Sequence, residues 1–213
     1  MIRRLALVLG SLLAPAALVV AAWAAESVPG PAPQEMIETA ARKLLEALDA
    51  DRERARKDPA YVRKLVDEIL LPHFDTDYSA RLVLGKHWRT ATPEQRQRFI
   101  DAFYQSLLRN YGSALAEFTA DRMKILPFRG DPSRDQAVVR TEVKRSNGQR
   151  VPVNYTLHAT PEGWKAWDVT IEGISYVRNF RNDVGAEIDQ TGLPALIERL
   201  EKENQVGAPT PAS

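Results

Sequence analysis

At Asp121 the hydrophobic pattern changes period, and this change constrains the fold more than any other feature of the chain. Before it, apolar residues recur every three to four positions, as on one side of a helix; after it they alternate, as on one face of a strand. Helices that precede strands, rather than interleave with them, predict an α+β domain with an antiparallel sheet. Alternation marks four strands: Met123–Phe128, Gln136–Arg145, Arg150–Ala159 and Trp164–Glu172. Asn147-Gly148 is the signature of a two-residue type I′ hairpin, and Thr160-Pro-Glu-Gly163 supplies the next turn. Links this short join antiparallel neighbours, so the strands form a meander whose apolar face must be covered by the preceding helices.

Those helices carry their own punctuation. From Gln34 to about Ala50, Ile37, Ala40, Ala41, Leu44, Leu45 and Leu48 recur at helical spacing. Asp58-Pro59 offers an N-cap and a first-turn proline; Val62, Leu65, Val66, Ile69 and Leu70 follow until Pro72 stops the helix. Asp75–Leu84 reads as a short helix ended by Gly85. Thr92-Pro93-Glu94-Gln95 is a capping box. It opens a long helix bearing Phe99, Ile100, Phe103, Leu107, Tyr111, Leu115 and Phe118, with Tyr104 and Leu108 widening the apolar side and Gly112 placed to bend or break it. An amphipathic segment from Gly173 to about Glu187 and a last helix with Leu196, Ile197 and Leu200 complete the pattern.

The ends read as address and tail. Arg3 and Arg4 precede an apolar stretch, Leu5 to Ala22, and Ala22-Trp23-Ala24 offers small residues where a signal peptidase reads. Residues 1–24 are therefore expected to be a cleaved signal peptide, 25–33 a proline-rich linker, 34–204 one domain and 205–213 a disordered tail. An uncleaved anchor is the rival, against which Pro15 and the Ala-x-Ala site both argue. A leader of this kind points to the bacterial periplasm. An exported chain with no cysteine must rely on its core rather than on disulfides. With no cysteine and three scattered histidines, a zinc site is not expected either. The formal charge of +1 becomes −1 once Arg3 and Arg4 leave with the leader, which is not the one-sided basic field that nucleic acid selects.

Chemistry was sought and found thin. Asp168, Glu172 and Ser175 crowd one junction, yet the chain holds no Gly-x-Ser-x-Gly, Ser-x-x-Lys or His-Glu-x-x-His pattern. His158 with Asp168 on the neighbouring strand is the one pair on which a small non-metal enzyme could rest. Arg178 and Arg181 in "RNFRND" could grip a phosphate, although a solvated helix face explains them as well. What remains is an excess of large apolar residues: Leu107 and Tyr111 on the long helix, Tyr155 on the third strand, Trp167, Val169 and Ile171 sharing a face of the fourth, and Ile174 and Val177 beyond it. Composition alone does not separate a filled core from a lined cavity.

Two stretches resemble one family. "AYVRKLVDEILLPHFDTDYSARLVLGKHWRTATPEQRQRFIDAFYQSLLRNYGSAL" carries the helix stop at "LP", the "LVLG" before an aromatic, the "ATPEQR" capping box and "YGSAL". "WKAWDVTIEGIS" is similar to a W-x-x-[YW]-D-x-x-x-E-G-[VI]-S block, with Trp167 where many relatives have Tyr. Both resemble MlaC, the periplasmic phospholipid-binding component of the Mla (toluene-tolerance) transport system. The resemblance implies helices cupping a strongly curved antiparallel sheet of about four strands, with an apolar cavity between them for acyl chains. It implies a monomeric non-enzymatic carrier with no cofactor beyond its phospholipid cargo. Such a carrier moves lipid between an outer-membrane MlaA–porin complex and an inner-membrane ABC transporter contacted through MlaD, and so maintains outer-membrane asymmetry. Leu107, Tyr111, Tyr155, Trp167, Val169, Ile171, Ile174 and Val177 are the expected lining, and Asp168 is expected to be structural.

Overall fold

The computed structural model describes residues 30–116, 119, 122–131, 134–145 and 147–205, the side chains of 110–116 excepted. The expected signal peptide, residues 25–29 of the linker, the tail from 206 and the Tyr111 side chain lie outside the described residues.

Seven helices precede and follow a five-stranded antiparallel sheet of order β1-β2-β3-β4-β5. The helical part opens with α1 (Pro33–Ala50), α2 (Arg52–Lys57) and α3 (Pro59–Leu65). Asp58 caps α3 as its sequence implies, its carboxylate accepting from the Ala60 and Tyr61 N–H groups at 3.0 and 3.1 Å. Pro72 does more than stop the helix. Lacking an N–H, it cannot extend the regular ladder. The chain widens into a π-helical turn over Val66–Leu70, then tightens to a 3-10 turn over Leu71–His73. Next come α4 (Thr76–Leu84), ended by Gly85 at φ +52, and α5 (Pro93–Ala116). The capping box forms in full: Gln95 N–H donates to the Thr92 hydroxyl at 3.2 Å, and Thr92 N–H to the Gln95 amide oxygen at 3.0 Å. Helical backbone continues through Gly112, so the expected break there does not occur.

The strands are β1 (Met123–Ile125), β2 (Gln136–Lys144), β3 (Arg150–Thr160), β4 (Gly163–Ile171) and β5 (Ile174–Ser175), after which α6 (Tyr176–Thr191) and α7 (Leu193–Gln205) close the domain. Two turns differ from expectation. At Asn147-Gly148 only the glycine has positive φ, +87, and Gly148 N–H donates to Arg145 C=O, so this link is not a two-residue type I′ turn. That geometry falls instead on Glu172-Gly173, at φ +51 and +84, where Ile171 pairs with Ile174. What read as a strand-to-helix joint is a hairpin with a two-residue fifth strand.

Register divides the residues between faces. Ala137, Val139 and Thr141 stand opposite Leu157, Tyr155 and Val153, which in turn face Ala166, Val169 and Ile171. This inner face is apolar. Between Thr156 and Leu157 the pairing slips by a β-bulge, since two residues of β4 must fit opposite one of β3.

The buried core forms three clusters among the described residues. The first joins α4, α5, α6 and α7 through Val83, Leu84, Phe99, Phe103, Leu196 and Ile197. The second seats Met36 and Ile37 of α1 on Ala137, Val139, Leu157, Trp164 and Ala166. The third packs Leu44 and Leu48 of α1 against Ala55, Val62, Leu65 and Val66. A domain of this size ordinarily has one contiguous core.

Candidate functional site

The bulge decides which way the fourth strand's aromatic residue points. Trp167 was expected to share a face with Val169 and Ile171. The extra residue turns it to the opposite face, where its ring meets Tyr78 edge-on at 5.7 Å and Tyr78 in turn lies 4.6 Å from the His158 ring. A register slip of one residue reverses a side chain's face, and no periodicity argument could have located it.

His158 and Asp168, the pair weighed for catalysis, serve different partners. His158 Nε2 lies 2.9 Å from Asp75 Oδ2, while the other Asp75 oxygen accepts from Tyr78 N–H as the cap of α4. Asp168, 6 % exposed, accepts from the Ser175 hydroxyl at 2.6 Å and from Val177 N–H at 3.0 Å. Ser175 itself accepts from Arg178 N–H and so caps α6. Both carboxylates therefore tie helices to the sheet: Asp75 brings α4 to β3, and Asp168 brings the start of α6 to β4. Asp75 N–H also donates to Ala166 C=O, and the Ser79 hydroxyl to Trp167 C=O, which occupies the open edge of β4. Asp75 was read only as the start of a helix; its pairing with a strand 83 residues away had no local signal.

The apolar residues expected to gather do so only in part. Tyr155, Val169 and Ile171 share the inner face and are half-buried. Tyr155 packs against the α1–sheet cluster with Phe74, Ile125 and Phe128. Its phenol pKa is raised by burial, with the Thr141 hydroxyl opposing. A ring that keeps accessible surface while protein crowds it this closely faces interior space rather than bulk solvent. Leu107 and Val177 lie elsewhere, packed on the helical cluster of α4 to α7. Ile174 is the clearest correction: it was expected inside, and it stands 60 % exposed on the two-residue edge strand.

Half-buried side chains that the sequence reading did not assign to the site border the three clusters. Leu108 of α5, one position from Leu107, packs with Ile69 and Leu70 on the third cluster. Phe74 packs on the second. Tyr104 donates to Asp67 Oδ1 at 2.9 Å, joining α5 to the π turn, and its pKa is raised first by burial and then by that carboxylate. A π turn holding a half-buried polar pair is a common accompaniment of functional sites. His73 beside it is pushed down, by burial first and then by Lys165 and Lys43. No group of three or more His, Cys, Asp or Glu residues able to hold a metal occurs among the described residues, and no described helix is long and apolar enough to cross a membrane.

Comparison with known proteins agrees with this geometry. The MlaC protein family matches residues 38–202. The chain is 32 % identical over 176 residues to the toluene tolerance protein ttg2D of Pseudomonas putida, covering 82 % of this chain and 81 % of that one. It is 25 % identical over 174 residues to the intermembrane phospholipid transport system binding protein MlaC of Haemophilus influenzae, covering 80 % and 81 %. Among solved structures it superposes with TM-score 0.77 and 29 % identity on a phospholipid-binding protein from Ralstonia solanacearum in complex with a phospholipid, covering 83 % of this chain and 98 % of that one. The chain belongs to the MlaC family.

Proposed function

We propose that the protein is a periplasmic phospholipid carrier that holds acyl chains against the inner face of the sheet and leaves the head group in water. One observation carries the reading: the core is divided into three clusters, and large apolar side chains border them half-buried. Tyr155 and Phe74 come from the sheet side, Leu107 and Leu108 from α5, and Ile69 and Leu70 from the π turn. Apolar groups left short of contacts are unfavourable unless something fills the space. An acyl chain has the right chemistry, and the R. solanacearum relative is described with a phospholipid bound.

The energetics call for such a device. Burying one methylene is worth about 0.8 kcal/mol, so two chains of about 16 carbons come to more than 20 kcal/mol. A bare lipid cannot cross an aqueous gap at a useful rate. A carrier must match the membrane's apolar environment closely enough that transfer in either direction stays near balance. The partners that fit this role are an inner-membrane ABC transporter, met through an MlaD-type subunit, and an outer-membrane MlaA–porin complex. The role is binding and release rather than catalysis.

Extraction and mass spectrometry of protein purified from its native compartment test the proposal. Stoichiometric two-chain phospholipid of mixed head group is expected; a chain recovered empty and folded would sink it.

A further inference from the structure

The end of the sheet where β2 meets β3 and β4 meets β5 carries an unusual combination. Ile174 is 60 % exposed, on the same face as its partner Ile171 and hence at the open end of the apolar strip that runs through Val169 and Tyr155. It is presented on a tight hairpin. Glu172 sits there in the left-handed region at φ +51, a conformation that persists in a non-glycine residue only when its surroundings hold it. Here Glu172 N–H donates to Pro152 C=O, and its carboxylate meets Arg145 at 2.9 Å.

The charges around the tip are uneven. Lys144, Arg145, Arg150 and Arg178 face only Glu142 and Glu172. Both acids are already engaged, Glu172 by Arg145 and Glu142 by Arg150 at 3.8 Å. Lys144 and the Arg178 guanidinium are left exposed and without an acidic partner among the described residues. This is a local positive excess on a chain whose expected mature form carries a net −1.

We propose that this end of the sheet docks on an anionic phospholipid bilayer, Ile174 entering the interface while Lys144 and Arg178 meet lipid phosphates. One isolated apolar tip is too little for a stable protein interface, which needs roughly 800 Å² from each partner. A protruding aliphatic side chain ringed by loose cations suits shallow, reversible contact with an anionic lipid surface. The proposal rests on the carrier reading and adds to it the face through which cargo passes. Reversibility is part of the function, because a carrier that bound a membrane tightly would not leave it.

Flotation of the mature chain tests it. The vesicles are phosphatidylcholine alone or phosphatidylcholine with about 30 % phosphatidylglycerol, at low and high salt. The parent chain should float with the anionic vesicles and about tenfold less at high salt. Ile174→Asp should lower flotation about fivefold, and the double change Lys144→Glu with Arg178→Glu should abolish the preference for phosphatidylglycerol. Both variants should keep native circular dichroism and the parent's load of extractable phospholipid, because none of these side chains is buried. A parent that floats with neither vesicle, or variants that float like the parent, overturn the proposal; so does loss of bound phospholipid in Ile174→Asp with flotation unchanged. A parent purified empty of phospholipid that still floats with anionic vesicles would refute the carrier reading alone.

Discussion

Glu172 and Gly173 show how much can turn on two dihedral angles. Both adopt positive φ, so the chain reverses within two residues and Ile174 pairs back on Ile171. A Cβ added at Gly173 would meet nothing within 4 Å, so substitution there carries a backbone penalty and no clash. Gly173→Ala should cost about 1 kcal/mol in urea unfolding, with near-ultraviolet circular dichroism unchanged. Asp168 is the opposite kind of residue, buried and committed on both oxygens. Asp168→Ala should cost about 3 kcal/mol, since the Ser175 hydroxyl and Val177 N–H lose a charged acceptor together. An Asp168 that was catalytic rather than structural would leave stability nearly untouched when changed. The sequence placed Asp168 in a structural role correctly, but offered no means of naming its partners, because Ser175 and Val177 reach it only after the hairpin has turned.

Among the elements, the helix starts were the most legible. Capping depends on residues within four positions of one another, so Asp58, Thr92 and Gln95 declare themselves locally. Thr92→Ala should destabilise the protein by about 1 kcal/mol, with α5 fraying first in hydrogen exchange. Elements that depend on distant partners were less legible. The bulge in β4 and the hairpin to β5 both reverse expectations, and each was settled by what packs nearby: Tyr78 against Trp167, and Arg145 against Glu172. Helices α5, α6 and α7 are further joined by ion pairs that periodicity does not announce. Arg199 bridges Glu187 and Glu203, and Arg109 reaches Glu203 as well. Burial pushes the Glu203 carboxyl up, but the two guanidiniums outweigh it and hold the group below its ordinary value. The stabilisation is therefore full above the ordinary carboxylate value of 4.5 and is lost as pH falls through the lower folded value. Melting temperature should drop below pH 4.5, and Glu203→Gln should flatten that drop while lowering stability at neutral pH.

At the scale of the whole molecule, the divided core is the property that matters. In a fully packed interior, enlarging a side chain costs about 1–3 kcal/mol; beside unfilled apolar space it adds contacts instead. Val169→Trp should raise the melting temperature of the delipidated protein and reduce the phospholipid recovered per chain. A lower melting temperature with unchanged lipid would place Val169 in ordinary core.

The sequence by itself determined the order of the elements, their caps, the α+β class and the family, since all of these are written in spacing along the chain. Only the tertiary structure decided which apolar residues close on one another and which are left facing space. Leu107 and Val177 joined a helical core, Trp167 turned to the other face, and Ile174 came to the surface. The reason is physical: amphipathic spacing says that a side chain avoids water, and it says nothing about what stands on the other side.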